Sequence, residues 1–240
     1  MPSGMTGGAR AVALSMHLLD DAIGAALRTR HSSLALVDGG AARYPTDVAP
    51  FASLGLSPTA DDWEALGRLA PTGAVAMFVE KGFHPAPGWE TLQEIGLTQM
   101  VDTGVTPPDE AFDEAQDLGE QHVPEMLRLT TLTAPGPFER RTIEFGGYRG
   151  VVGADGRLLA MAGRRLAPEG WVEVSAVCTD PEARGRGYAR RLMLDVIRGI
   201  RADGDRAFLH VAEGNPARGL YESMGFEARA DLKVSVLARS

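Results

Sequence analysis

Three stretches in the second half of the chain predict an α+β fold. The first is an apolar, β-branched run at residues 172–179, stopped by Asp180-Pro181 and followed by an Arg- and Gly-rich turn and then a helix. The second is a pair of runs, residues 148–152 and 158–165, around Gly153-Ala154-Asp155-Gly156, which is a hairpin signal. The third is residues 215–226, a helix marked at both ends. Asn215 supplies the cap, Pro216 fits the first helical position and Gly225 ends the element.

The helix after the first run, residues 188–201, places Ala189, Leu192, Met193, Val196, Ile197 and Ile200 on one continuous face. Arg190, Arg191, Arg198 and Arg201 lie off it. A strand, a Gly-rich turn and a helix N-terminus form a natural anion site, because free N–H groups and the helix dipole converge there. Arg184 and Arg186 precede the apolar pattern and add charge-assisted contacts to the same anion. The spacing fits neither a Walker loop, which needs a Lys, nor a dinucleotide fingerprint, which needs a third Gly or Ala where Arg190 stands.

At 240 residues, with 44% hydrophobic and 23% charged residues, the chain can bury a sizeable core and is not of disordered composition. Its net charge of −8 argues against a nucleic-acid or anionic-membrane surface, which makes the local Arg cluster more informative. One cysteine, Cys178, excludes an intrachain disulfide and fits a reducing, cytoplasmic compartment. Residues 11–19 are expected to be part of an amphipathic helix rather than a signal peptide, and no run reaches the ~18–20 apolar residues of a membrane span.

The first half carries less signal. Residues 1–10 are expected to fray, 14–29 to form a helix and 33–37 a strand ended by Asp38-Gly39-Gly40. Residues 44–58 are Pro-rich and irregular. Thr59 is placed to cap a helix reaching Leu69, and 74–80 is a strand. Residues 89–101, with Leu92, Ile95, Leu97 and Met100 apolar, fit a helix or a strand equally well. Residues 103–110, containing Pro107-Pro108, are the linker candidate. A smaller N-terminal α/β domain over 1–108 is therefore expected, without catalytic motif, and a working domain over 109–240. The latter is expected to contain a helix at 121–132, strands at 207–211 and 226–237, and the elements above.

Arg184-Gly185-Arg186-Gly187-Tyr188-Ala189 resembles the Arg/Gln-x-x-Gly-x-Gly/Ala signature of the GNAT superfamily of N-acetyltransferases. Asn215-Pro216-Ala217, closed by Tyr221-Glu222-Ser223-Met224-Gly225-Phe226, resembles that superfamily's later motif. Two signatures in order are far more specific than one, and the resemblance covers roughly residues 115–237. The 172–193 block looks closest to a branch containing glycine N-acyltransferase-like proteins. The resemblance implies a central mixed, mostly antiparallel sheet flanked by helices, and it allows the N-terminal part to be a degenerate copy of the same fold.

It also implies acetyl-CoA as cosubstrate, with no metal. Its pyrophosphate would be held by Arg184, Gly185, Arg186, Gly187, Tyr188 and Ala189, where the glycines let the backbone approach. Asn215 would join them. Backbone groups near Val177 and Thr179 would pair with the pantetheine arm and polarise the thioester carbonyl. Tyr221 has the family position of the general acid that protonates the departing thiolate; the bland reading is a core tyrosine. Glu173 is the candidate base, a carboxylate among apolar neighbours with an expected raised pKa; the bland readings are an exposed carboxylate or a ligand for substrate charge. Ser175 shares its face and would line the acceptor pocket. Cys178 reads as packing and His210 as core or cofactor edge.

The expected activity is transfer of an acetyl group to a primary amine of a small molecule or amino acid, by direct attack in a ternary complex. The alternatives are a peptide or protein amine as acceptor, or a non-catalytic acyl-CoA-sensing module. No nucleic-acid or membrane partner is expected.

Overall fold

The structure, a computed structural model, describes residues 17–240. The expectations for residues 1–10 and for the start of the first helix lie outside the described residues. Its order is α1 (Ala22–Arg28), β1 (Leu36–Asp38), β2 (Ala41–Arg43), β3 (Ala52–Ser53), α2 (Ala60–Leu69), β4 (Ala74–Val79), β5 (Trp89–Asp102), β6 (Gln116–Asp117) and α3 (Val123–Thr133). Then follow β7 (Arg149–Val152), β8 (Leu158–Arg164), β9 (Trp171–Thr179), α4 (Tyr188–Ala202), β10 (Arg206–Ala212), α5 (Ala217–Met224) and β11 (Phe226–Arg239). The fold is α+β, with a mixed sheet flanked by helices.

Among the described residues that sheet has eight strands in the order β4-β11-β5-β10-β9-β8-β7-β6, and only β9 and β10 pair in parallel. A separate small sheet, β1-β2-β3, belongs to the N-terminal part. The boundary expected near residue 108 falls between elements that share the large sheet. Strand β5, on its N-terminal side, pairs antiparallel with both β10 and β11 from the C-terminal side. Strand β4 extends the same sheet beyond β11.

Local sequence explains most elements. Thr59 caps α2 by accepting from Asp62 N while Asp62 accepts from Thr59 N, a reciprocal capping box. In α4 the predicted stripe is buried at Leu192, Met193, Val196, Ile197 and Ile200, against Val172 and Val174 of β9 and Leu209 and Val211 of β10. Each such aliphatic side chain contributes about 1.5–3 kcal/mol on burial. Asp195 is buried beside that stripe and is held by Arg149 at 2.6 Å and Arg198 at 2.9 Å. Asn215 Oδ1 accepts from Ala217 N at 2.9 Å to open α5, and Gly225, at φ 105°, closes it. The other face of the sheet is covered at β9 and β10 by α1 and the residue 44–51 segment, with Phe208 and Trp171 in one buried cluster with Ile23, Tyr44 and Phe51. Helix α3 packs against β8 and β9.

Candidate active site

The site is built on an irregularity in β9. Gly163 of β8 pairs with Ser175 and Met161 pairs with Cys178, so Ala176 and Val177 together oppose one residue of β8. This is a β-bulge, and Ala176 takes φ 53°, a left-handed conformation that costs a non-glycine residue about 1–2 kcal/mol. On its other side β9 pairs with β10 only through Trp171, Val172 and Glu173. From Val174 onward the two parallel strands have no register partner in each other, and a cavity of about 1050 Å³ occupies the opening.

The turn after β9 is fixed from below. Asp180, buried, accepts from Glu182 N at 3.1 Å and takes ion pairs from Arg128 of α3 (3.2 Å) and Arg157 of the hairpin (3.1 Å). The backbone N–H of Glu182, with the two guanidinium groups, holds its carboxyl below the ordinary value. Gly185 (φ 78°) and Gly187 (φ 74°) then turn the chain into α4, and at both a Cβ would meet open space. The backbone is thus exposed on the cavity side of a helix N-terminus, where an anion is stabilised.

Of the residues expected to hold the cosubstrate, Val177, Thr179, Arg184, Gly185, Gly187, Tyr188, Ala189 and Asn215 all line this one cavity. Among the described residues Thr179 Oγ1 is buried with no hydrogen-bond partner, an orphaned polar atom that a ligand would satisfy. These features fit an acyl-CoA. Arg186 departs from the expectation: it is exposed, is not part of the lining, and its carbonyl accepts from Arg191 Nη2 at 2.9 Å. Arg191 is itself engaged by Glu114 at 2.9 Å. Arg190, not among the expected ligands, does line the cavity. Its signal was a cation in the first turn of a helix, where the dipole disfavours one unless an anion binds.

Tyr221 also lines the cavity, half-buried on α5 with its ring edge-on to Phe226. Its hydroxyl finds no hydrogen-bond partner among the described residues, and burial raises its pKa, so it holds its proton at neutral pH. Ser175 and Cys178 are on the wall as well; burial pushes the Cys178 thiol up to about 12, which suits packing rather than nucleophilic attack.

Glu173 differs from expectation. It is 0% exposed and outside the cavity lining. Its oxygens accept from Arg165 Nε (2.8 Å) and Nη2 (2.6 Å), and Oε1 lies 2.7 Å from His210 Nδ1. Burial alone would push its carboxyl up, but the Arg165 guanidinium and then His210 outweigh that, and its pKa falls to about 2 from the ordinary 4.5. The expected raised pKa is therefore corrected to a lowered one. The neighbours are apolar only along the strand; across the hairpin stands Arg165. His210 Nε2 faces Gln99 Nε2 at 3.1 Å, and Arg229 donates to Gln99 Oε1 at 2.7 Å. That second bond makes Gln99 Nε2 the donor and puts the imidazole proton on Nδ1, toward Glu173. Arg165 and His210 are the members of this cluster that reach the cavity wall. Among the described residues no group of His, Cys, Asp or Glu could hold a metal ion.

The family described as FR47-like protein matches residues 150–234, the stretch holding the bulged strand, the turn and Tyr221. A crystal structure from Novosphingobium aromaticivorans, of a protein assigned to the GNAT family, shares 35% identity over 94% of this chain and 100% of that one, with a TM-score of 0.85. The chain belongs to the GNAT family. Two more distant structures share the fold: a Drosophila protein (16% identity, 82% of this chain and 73% of that one, TM-score 0.63) and a GCN5-related N-acetyltransferase from Kribbella flavida (15%, 90% and 95%, TM-score 0.55). At that identity they speak to the fold alone. No curated protein matches the sequence. The GNAT assignment carries with it acyl transfer from acetyl-CoA as the general chemistry, and no helix among the described residues is long and apolar enough to cross a membrane.

Proposed function

We propose that this GNAT protein is an N-acetyltransferase that moves an acetyl group from acetyl-CoA to a primary amine of a small molecule, by direct attack in a ternary complex. One observation carries this reading: the bulged end of β9, Gly185 and Gly187 of the turn, and Tyr221 line a single cavity. Acetyl-CoA, when bound, supplies an activated thioester. The backbone at Gly185 and Gly187, the N-terminus of α4, and the Arg184 and Arg190 side chains would bind its pyrophosphate. Thr179 Oγ1 and the free edge of β9 around Val177 would pair with the pantetheine arm. N–H groups held rigidly by the bulge are suited to polarise a thioester carbonyl, since they need no reorganisation as charge develops.

Tyr221 Oη is read as the acid that gives its proton to the departing thiolate. Glu173 is read as the anchor that fixes Arg165 and His210 on the wall, because a carboxylate held at about 2 is a weak proton acceptor at neutral pH. Within the family, the 172–193 block supports a place near glycine N-acyltransferase-like proteins, and the composition supports a cytoplasmic compartment.

Calorimetry with acetyl-CoA on wild type and Gly187→Val tests the reading. Binding to wild type with loss in the variant is expected: Val strains a residue at φ 74° and sets a side chain where the pyrophosphate passes. Equal affinity would place the cosubstrate elsewhere. Binding without thiol release across an amine library would leave an acyl-CoA sensor.

A further inference from the structure

The cavity extends well beyond the cosubstrate turn, across the face of β5, β11 and β4. Register pairs Ile95 with Val234 and Val234 with Phe78; one step along, Gln93 pairs with Val236 and Val236 with Ala76. Side chains alternate across a strand, so these residues share one face, and all of them line the cavity. The charged neighbours, Glu94 and Lys233, take the opposite face, where they pair at 2.7 Å. Phe78, Val234 and Val236 are half-buried and Ile95 is 37% exposed, so this floor is an apolar surface left open. Contiguous open apolar surface in a cleft marks a ligand site.

Its charge is equally selective. The chain carries 32 Asp and Glu, yet among the described residues that line the cavity there is no Asp, no Glu and no Lys. The arginines Arg184 and Arg190 belong to the cosubstrate end. At the floor the one guanidinium is that of Arg165, already neutralised by Glu173 in a two-point ion pair and resting 4.9 Å over the Phe51 ring. An acceptor with a second cation would lose its water there and gain no carboxylate in return, a cost that apolar contact cannot offset.

We infer that the amine acceptor has a single amino group on an uncharged apolar body, of the arylalkylamine kind, which lies on the β4–β11–β5 face with its amine toward the bulge of β9. The N-terminal part of the chain then contributes to acceptor binding through β4, β5 and Phe51, beside β11 from the C-terminal side. This inference rests on the acetyltransferase reading, and its test separates the two.

The full-length protein is assayed for thiol release with acetyl-CoA and phenethylamine, spermidine or a lysine tripeptide. In parallel, saturation-transfer NMR in the presence of CoA measures binding of each amine without chemistry. Phenethylamine is expected to lead spermidine and the peptide by at least ~100-fold in kcat/KM and to show the strongest transfer at its ring protons. Val236→Glu, which sets a carboxylate on the floor, is expected to shrink that ratio by weakening phenethylamine and admitting spermidine. Equal or better use of spermidine or the peptide overturns the inference and leaves the acetyltransferase reading intact. If acetyl-CoA does not bind, that reading falls, and the NMR order still decides: no ring-proton transfer, or an equal signal from spermidine, overturns the apolar acceptor. Should Val236→Glu not fold, the wild-type ratios alone decide.

Discussion

Glu173→Gln separates an ion-pair anchor from a catalytic base. The folded pKa of Glu173, about 2, lies below the ordinary 4.5, so its ionised form stabilises the fold. At about 1.4 kcal/mol per unit this is worth about 3 kcal/mol. The sign follows from linkage: the contribution is fully present above pH 4.5 and is lost as pH falls toward 2. Glu173→Gln removes that acid limb and leaves the Arg165 guanidinium buried without its counter-ion. Breaking one partner of a buried pair costs about 3–5 kcal/mol, or a melting temperature lower by roughly 6–20 °C for a chain of this size. Arg165→Met should cost a similar amount, and the double variant should recover most of the loss, because two buried groups of opposite charge are then removed together. Chemical denaturation of the four proteins at pH 7, and of wild type and Glu173→Gln from pH 5 to 3, measures both effects. A Glu173→Gln protein as stable as wild type at pH 7, whose kcat/KM has lost a rising limb between pH 5 and 8, would refute the anchor and restore the base.

Tyr221→Phe should keep fold and acetyl-CoA affinity, since the ring packing survives, while turnover drops by ~10²–10⁴-fold; a wild-type rate with chemistry limiting returns Tyr221 to the core. A fragment of residues 109–240 should fail to fold alone, because β5 is missing from between β10 and β11; a cooperative unfolding transition in that fragment contradicts this. Cys178 should resist iodoacetamide at pH 8 in the native protein, its thiol being buried and pushed up to about 12, and rapid labelling of folded protein would show the wall to be open there.

The sequence alone determined those elements whose causes are local. The apolar stripe of α4, the cap pair at Thr59 and Asp62, the Asn215 and Gly225 ends of α5 and the Asp-Gly hairpin turn each act within a few residues, and each stands where its residues put it. The Arg- and Gly-rich turn was legible for the same reason, because an anion site at a helix N-terminus needs only adjacent residues. The strand nature of β5 was not legible: Leu92, Ile95, Leu97 and Met100 fit a helix or a strand equally well, and it is pairing with β10 on one side and β11 on the other that holds those residues extended. Nor was the bulge, for Ala176 gives no sign of a left-handed backbone; the fixed register of β8 imposes it. Glu173 shows the limit most sharply. Its carboxylate is read one way from its neighbours in sequence and the opposite way from Arg165 and His210, which reach it across two different strand pairings. Charge interactions depend on distance through space, and only the assembled sheet sets that distance.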